Sequence, residues 1–587
     1  MKYTIIIALA LLLGACNKSF LEQRPIGTLD EAVLATPSGV NGLLIGAYSL
    51  LDGNGSVQSG NSSIGMNVFA SMPSDDSFVG TIPNALLASI EGFTYDPTTT
   101  IFDMKWRIQY AAVQRCNDVL RILPKVSGLD EAESTQIEAE ARFLRGVYHL
   151  NTALLWKNIP FIDETISYGA ENYNVSNTEP VWPRIEADFQ FAADNLTDTK
   201  AEVGRANKWA AKCFLVKAYM FQHKFDEAAP LLDEIIAQGV TSNGLKYDLA
   251  PHYFDNFSTA TKHGPEAVFT VQMSVRDGAN GQNGNTLEAS GGPYGSPATT
   301  GYGWTQPKFD LVNAYQTDPE TGLPLLTNYN DHPVKTDQGI SSAEPFTPHE
   351  GTLDSRLDWN VGRRGIPFLD WGVHPGQAWI RSQNVGGPFT VIKHIAWKYR
   401  KDTDIEQRFT NSPLNLIRFA DVLLWAAEVE VERGNLAKAE SYVNRVRERA
   451  ANPDGWVKKY INDNNPDEGF STIPAANYKV GLYTGQFVEN GQDFAREAVR
   501  MERRLELALE HHRLFDLQRY DNGTGYMART LNNALEFHRK IAGFDYSYVA
   551  DGFFTQGKNE IYPIPLAQID LSTTEGKPTL IQNPGYK

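Results

Sequence analysis

Aromatic and hydrogen-bonding side chains are concentrated in one long, glycine-rich stretch of the sequence, at residues 278–401. Flat indole and phenol rings can stack on the apolar faces of sugar rings, and polar side chains can exchange hydrogen bonds with hydroxyl groups. This combination predicts ordered binding loops, although each aromatic residue could instead belong to a hydrophobic core. The candidate residues are Tyr294, Tyr302, Trp304, Trp359, Arg364, Trp371 and Trp379.

The charged residues near position 510 do not form a catalytic or metal-binding pattern. We expect one helix here, on which Leu505, Ala508, Leu509, His512 and Phe515 share an apolar stripe, so that His512 is a core histidine and His511 points elsewhere. Glu510, His511 and His512 lack the two-histidine, four-residue spacing of zinc peptidases, and the sequence contains no phosphate loop or G-x-S-x-G elbow. We therefore predict no metal and no cofactor. Paired carboxylates for glycoside cleavage need to meet only in space, so a glycoside hydrolase stays open as an alternative.

Two acidic residues fall in an apolar stretch that is predicted to form a buried helix at residues 417–433. An isolated carboxylate is costly to bury, so Asp421 and Glu428 require partners. Arg418 precedes Asp421 by three residues and is predicted to be its ion-pair partner.

The N-terminus has the layout of a secretory signal that ends at a cysteine. Lys2 precedes an apolar segment at residues 5–13, and Leu13-Gly14-Ala15-Cys16 places small residues before the thiol. Nine apolar residues are too few to cross a bilayer, which needs roughly 20. The segment resembles a bacterial lipoprotein signal, which implies a signal peptide at residues 1–15, lipidation of Cys16 and a polar tether at residues 16–27. An ordinary signal peptide is the alternative.

Composition restricts the remaining possibilities. The chain has 587 residues, 42% of them hydrophobic, as expected for a globular protein with a large core. A net charge of −17 argues against a nucleic-acid partner, because phosphate binding requires basic surfaces. After Cys16, the remaining cysteines are Cys116 and Cys213. Both lie in helical patterns, and we expect two buried thiols, with a disulfide as the alternative.

Helical periodicity predicts a mainly α fold. Residues 133–156 form a long half-buried helix, and residues 208–222 with 226–237, and 417–433 with 437–450, form two helical hairpins. Both hairpins look like tetratricopeptide units, but their separation of about 210 residues is not a tandem period. The prediction is a tetratricopeptide-like scaffold with long insertions, divided into regions 28–270 and 271–587, with the loop-rich insertion at 278–401.

Several motifs along the whole chain resemble one family, the SusD/RagB family of outer-membrane lipoproteins. They are Phe20-Leu21-Glu22, Arg142-Phe143-Leu144-Arg145-Gly146, Arg418-Phe419-Ala420-Asp421, Met501-Glu502-Arg503-Arg504-Leu505-Glu506-Leu507, Tyr562-Pro563-Ile564-Pro565 and Gln582-Asn583-Pro584-Gly585-Tyr586.

The resemblance implies a function as well as a fold. Members of the family are not enzymes. They bind oligosaccharides, or peptides in some branches, on a loop-rich face and deliver them to a TonB-dependent transporter of the SusC type. The implied location is the outer membrane, facing the cell exterior, with attachment through lipid alone. Asp75 and Asp76 fall where family members commonly contribute polar ligand contacts.

Overall fold

The computed structural model describes residues 31–52, 65–80, 84–166, 174–281, 283–285, 292–298, 301–407 and 409–586. The predicted signal peptide, Cys16 and the tether lie outside these residues. Within the described residues, no helix combines the length and the apolar character that a membrane span requires.

Helices form most of the regular structure, as predicted. They are α1 (Glu31–Leu34), α2 (Pro37–Tyr48), α3 (Ala85–Glu91), α4 (Thr100–Ile122), α5 (Glu131–Trp156), α6 (Trp182–Asn195), α7 (Lys208–Met220), α8 (Phe225–Gln238), α9 (Phe309–Ala314), α10 (Leu357–Asn360), α11 (Gln383–Gly386), α12 (Lys401–Asp404), α13 (Phe419–Glu432), α14 (Leu436–Ala451), α15 (Gln486–Glu506), α16 (Arg513–Asp521), α17 (Tyr526–Arg539) and α18 (Leu566–Leu571).

Strands are short and form two-stranded antiparallel pairs. They are β1 (Ala267–Val271), β2 (Val361–Gly362), β3 (Thr390–Val391), β4 (Ile405–Glu406), β5 (Phe409–Thr410), β6 (Leu414–Arg418), β7 (Lys458–Tyr460), β8 (Phe470–Pro474), β9 (Thr573–Thr574) and β10 (Lys577–Pro578). The pair β1–β6 joins segments almost 150 residues apart, with Ala267 opposite Arg418. Hydrophobic residues from both predicted regions share one large core.

The long helix α5 begins where local chemistry favours a helix. Asp130 accepts a hydrogen bond from the backbone of Glu133, whose side chain accepts one from the backbone of Asp130, and the two bonds complete a capping box. From Ala139 to Trp156 the helix is almost entirely buried, packed against α4 and α6. The prediction of a long helix here is confirmed.

The two predicted helical hairpins are also confirmed. One is α7 with α8, and the other is α13 with α14. Although they are far apart in sequence, α8 packs directly against α13, so the second hairpin continues the stack that α4 to α8 begin. The intervening chain is therefore an insertion into a spatially continuous helical scaffold. Cys116 and Cys213 carry free, buried thiols within this scaffold, as expected.

The prediction of one helix that carries Leu505, Ala508, Leu509, His512 and Phe515 on a single stripe is wrong. Helix α15 ends at Glu506, α16 begins at Arg513, and Leu509 and His511 adopt positive φ angles of 63° and 65°. Side chains from elsewhere satisfy the carbonyl groups that the break leaves exposed. Tyr315 donates to the carbonyl of Leu505, Tyr253 and Arg418 to that of Glu506, and Lys393 to that of Ala508.

Candidate functional site

The described parts of the glycine-rich segment, residues 292–298 and 301–304, form what we call the aromatic loop. Its C-terminal end lies against the segment before α3. Gly80 and Trp304 form an antiparallel β-bridge, and the backbone N–H of Thr305 donates to the carbonyl of Val79 at 3.3 Å. The Trp304 ring is half-buried against a small apolar cluster of Met72, Val79 and Leu87. This packing fixes the indole at the surface.

Two tyrosine rings of the aromatic loop are open to solvent. Tyr302 is 40% exposed and stands two residues before Trp304. Tyr294 is 42% exposed, and its backbone N–H donates to the carbonyl of Trp379 at 2.9 Å. The guanidinium of Arg381 lies 5.1 Å from the centre of the Tyr294 ring. Both ends of the aromatic loop are thus held, and both phenol rings are partly exposed.

Three predicted binding tryptophans pack against a second hydrophobic core, which the insertion forms together with Tyr253, Phe254 and Phe257. The indole N–H of Trp359 donates to the carbonyl of Gly455, and that of Trp371 donates to the carbonyl of Ala396. The Trp379 ring makes edge contacts with Phe368 and His374. All three are half-buried, so their structural role is visible and their role in binding stays a prediction.

The side chain of Arg364 binds the backbone of the loop at residues 341–344. Its guanidinium donates to the carbonyl groups of Ser341, Ser342 and Glu344 at 2.6–3.1 Å. The structure therefore favours a role in supporting the insertion. The ligand contact that we predicted for Arg364 stays a prediction.

Asp75 and Asp76 are interior residues rather than loop residues open to solvent, with exposures of 1% and 3%. Asp75 receives two hydrogen bonds of 2.7 Å from Arg513, and Arg504 lies 3.1 Å away. Burial raises the pKa of Asp75, but the guanidinium groups of Arg504 and Arg513 outweigh burial and lower it well below its usual range. Asp75 therefore belongs to a buried ion-pair network, and the polar ligand contact expected of Asp75 and Asp76 stays a prediction.

A larger network surrounds Glu506 at the end of α15. The guanidinium groups of Arg356, Arg418 and Arg449 all contact this carboxylate, with closest separations of 2.9 Å from Arg356 and 2.5 Å from Arg418. Burial raises the pKa of Glu506, whereas the three arginines together hold it far below its usual value. The SusD-like motifs that contain Arg418 and Glu506 thus supply a buried electrostatic core.

The predicted pair of Asp421 with Arg418 is wrong. Asp421 contacts Arg503 at 2.7 Å, while Glu428 pairs with Arg519. Arg418 is the last residue of β6, and its side chain extends to the Glu506 network instead of along α13.

Trp397 and Tyr399 were not among the predicted binding residues, although they lie at the end of the insertion. They stand close together, with ring centres 6.1 Å apart. In the sequence, these two aromatic residues are separated by a single residue and lie beside charged residues, and this pattern could have indicated a binding surface.

Two family models match the chain. The model described as the SusD family matches residues 265–586, and the model described as starch-binding associating with outer membrane matches residues 20–220. Among curated relatives, SusD-like protein P25 of Formosa agariphila is 24% identical over 545 residues, which cover 89% of this chain and 90% of the relative.

Solved structures share the fold. A SusD superfamily protein from Bacteroides vulgatus aligns with a TM-score of 0.66 and 18% identity, over 94% of this chain and 98% of the other. Surface glycan-binding protein A from Bacteroides thetaiotaomicron, solved in complex with laminarihexaose, aligns with a TM-score of 0.62 and 19% identity, over 93% and 99% of the two chains. Since the SusD model alone matches more than half of the sequence, this mainly helical chain belongs to the SusD family.

Proposed function

We propose that the protein captures oligosaccharides at the cell surface through its aromatic loop and does not cleave them. The observation that carries this proposal is the exposure of Tyr294 and Tyr302 on a loop whose backbone is anchored at Trp379 and at Val79. Rings that are fixed before binding lose little conformational freedom when a sugar stacks on them. The laminarihexaose complex of the related surface glycan-binding protein supports an oligosaccharide as the ligand class.

Native electrophoresis through gels that contain laminarin or soluble starch tests this proposal. We expect at least one polymer to retard the protein, and we expect no new reducing ends after prolonged incubation. Accumulation of reducing ends would contradict capture without cleavage and would favour a glycoside hydrolase. Retardation by neither polymer, together with binding to a peptide library, would favour a peptide-capturing protein instead.

Changing Gly80 to alanine should weaken glycan retention by about tenfold without unfolding the protein. Gly80 has a φ of 105°, and a Cβ there would lie 2.2 Å from the carbonyl oxygen of Gly303, so the β-bridge that positions Trp304 must shift. Gly278→Ala is a matched control, because its φ is also positive, at 87°, and no atom lies within 4 Å of the added Cβ. Equal retention of both variants and the wild type would show that the bridge does not position the site.

Delivery to a SusC-like TonB-dependent transporter is the second part of the proposal. It is supported by membership of the SusD family and by the description of the matching N-terminal model. Purification of the tagged protein from outer membranes in mild detergent should recover a β-barrel of the size of a TonB-dependent transporter. Repeated recovery of the protein alone would contradict a stable complex.

Attachment through a lipid on Cys16 is the third part, and it is supported by the Leu13-Gly14-Ala15-Cys16 sequence. Several acyl chains give lasting attachment, at about 0.8 kcal/mol per buried methylene group. Cys16→Ala should therefore release a folded protein that binds glycan but does not support uptake, as measured by cell fractionation and growth on the glycan. Membrane retention of this variant would contradict the lipid anchor.

A further inference from the structure

A second group of aromatic residues lines a cleft between the end of the insertion and the β7–β8 hairpin. This aromatic cleft has a volume of about 420 Å³, within the range for small-molecule sites. Its ring-bearing lining residues are Phe254, Trp359, Trp397, Tyr399, Trp456 and Phe470. The aromatic loop contributes none of the residues that line it.

Three rings form a row that is open to solvent at both ends. Tyr399 is 71% exposed and Phe470 is 38% exposed. The half-buried Trp397 ring stands next to both, with ring centres 6.1 Å from Tyr399 and 6.3 Å from Phe470. Such large exposed rings cost free energy in water, and a ligand that covers them recovers it.

The row is held rigidly from both sides. The carboxylate of Asp370 accepts hydrogen bonds from the backbone N–H groups of Lys398 at 2.6 Å and Tyr399 at 3.0 Å. On the hairpin side, Phe470 stacks on Tyr460 with ring centres 5.0 Å apart. Lys398 also bridges the two sides through a 2.5 Å ion pair with Asp467. The rings are therefore positioned before any ligand arrives.

Polar groups stand beside these rings. The lining includes the polar and charged residues Asp255, Thr261, Asp454 and Lys458. The aromatic rings can stack on the apolar face of a ligand, and the neighbouring side chains of both charge signs can form hydrogen bonds with its hydroxyl groups. The cleft therefore suits a neutral, hydroxyl-rich ligand better than an apolar protein surface.

We propose that the aromatic cleft is a second carbohydrate site, which binds a pyranose oligosaccharide independently of the aromatic loop. This inference rests on the proposed function, because it assigns the same ligand class to a separate place. Two sites on one chain would also raise the affinity for a long polymer above that for a short oligosaccharide. Once the polymer is bound at one site, its binding at the second site is an intramolecular step.

Calorimetric titration with laminarihexaose and maltohexaose, compared among four proteins, tests the inference. We expect the wild type to show two binding sites per chain. Each of the double variants Tyr399→Ala/Phe470→Ala and Tyr302→Ala/Trp304→Ala should show one. The control Phe553→Ala, which removes a 61% exposed ring elsewhere, should keep two. In native gels that contain laminarin or soluble starch, the affinity of either double variant for the polymer should be at least tenfold lower than that of the wild type. If the first double variant does not fold, Tyr399→Ala alone should weaken one of the two sites.

The possible failures are distinguishable. If the wild type binds but Tyr302→Ala/Trp304→Ala removes all binding, the inference is overturned and the proposed function stands. If the wild type binds neither sugar nor polymer, both are overturned. Sedimentation of a wild-type dimer that Tyr399→Ala/Phe470→Ala converts to monomer would overturn the inference in favour of a second copy of this chain as the occupant.

Discussion

Replacing Glu506 with glutamine is expected to lower the free energy of unfolding by about 3–5 kcal/mol, the cost of removing one partner from a buried ion pair. The change leaves the guanidinium groups of Arg356, Arg418 and Arg449 without the carboxylate on which they converge. Glutamine has almost the same volume as glutamate, so the loss is electrostatic and not a packing defect. Urea denaturation followed by tryptophan fluorescence measures the change.

A surface pair provides the control for this prediction. Glu432 contacts Arg496 at 2.7 Å, and about a quarter of each side chain is exposed. Glu432→Gln should therefore cost less than about 1 kcal/mol, because solvent screens the pair. Equal losses in the two variants would contradict a stabilising role for the Glu506 network.

The double change Tyr302→Ala/Trp304→Ala is expected to weaken glycan binding at the aromatic loop by about 10- to 100-fold. Loss of contact with a large ring costs roughly 1.5–3 kcal/mol, and each 1.4 kcal/mol corresponds to a factor of ten in affinity. Tyr302 is 40% exposed and Trp304 packs on a small satellite cluster, so neither belongs to the main core. Titration with laminarihexaose and starch oligosaccharides measures the loss.

Phe553→Ala is again the matched control, since it removes an exposed ring outside the insertion. The glycan affinity of the Phe553→Ala variant should equal that of the wild type. Unchanged binding in the Tyr302→Ala/Trp304→Ala variant, with both proteins folded by circular dichroism, would remove the aromatic loop from the binding site.

The helices were predictable because their signals are local. Helix α5 and the hairpins α7–α8 and α13–α14 follow from periodicity and turn residues within each segment. The end of α15 at Glu506 was not predictable in this way. The side chains that donate hydrogen bonds to its last carbonyl groups, Arg418, Tyr315 and Tyr253, lie about 90 to 250 residues away in sequence.

The same distinction applies to the candidate site. Glycine and aromatic content indicated a loop-rich insertion, and the described residues of that segment form only short helices and strands. Composition does not distinguish a ring that completes a core from one that is open to ligand, and Trp371 and Tyr302 fall on different sides of that distinction. Nor does sequence show that Asp75 faces Arg513, more than 430 residues later.

A crystal structure of the protein with laminarihexaose or maltohexaose tests the central claim most directly. We expect an intact oligosaccharide whose sugar rings lie against Tyr302 and Trp304 of the aromatic loop. An oligosaccharide bound without contact to either ring, or one cleaved in the site, would contradict it.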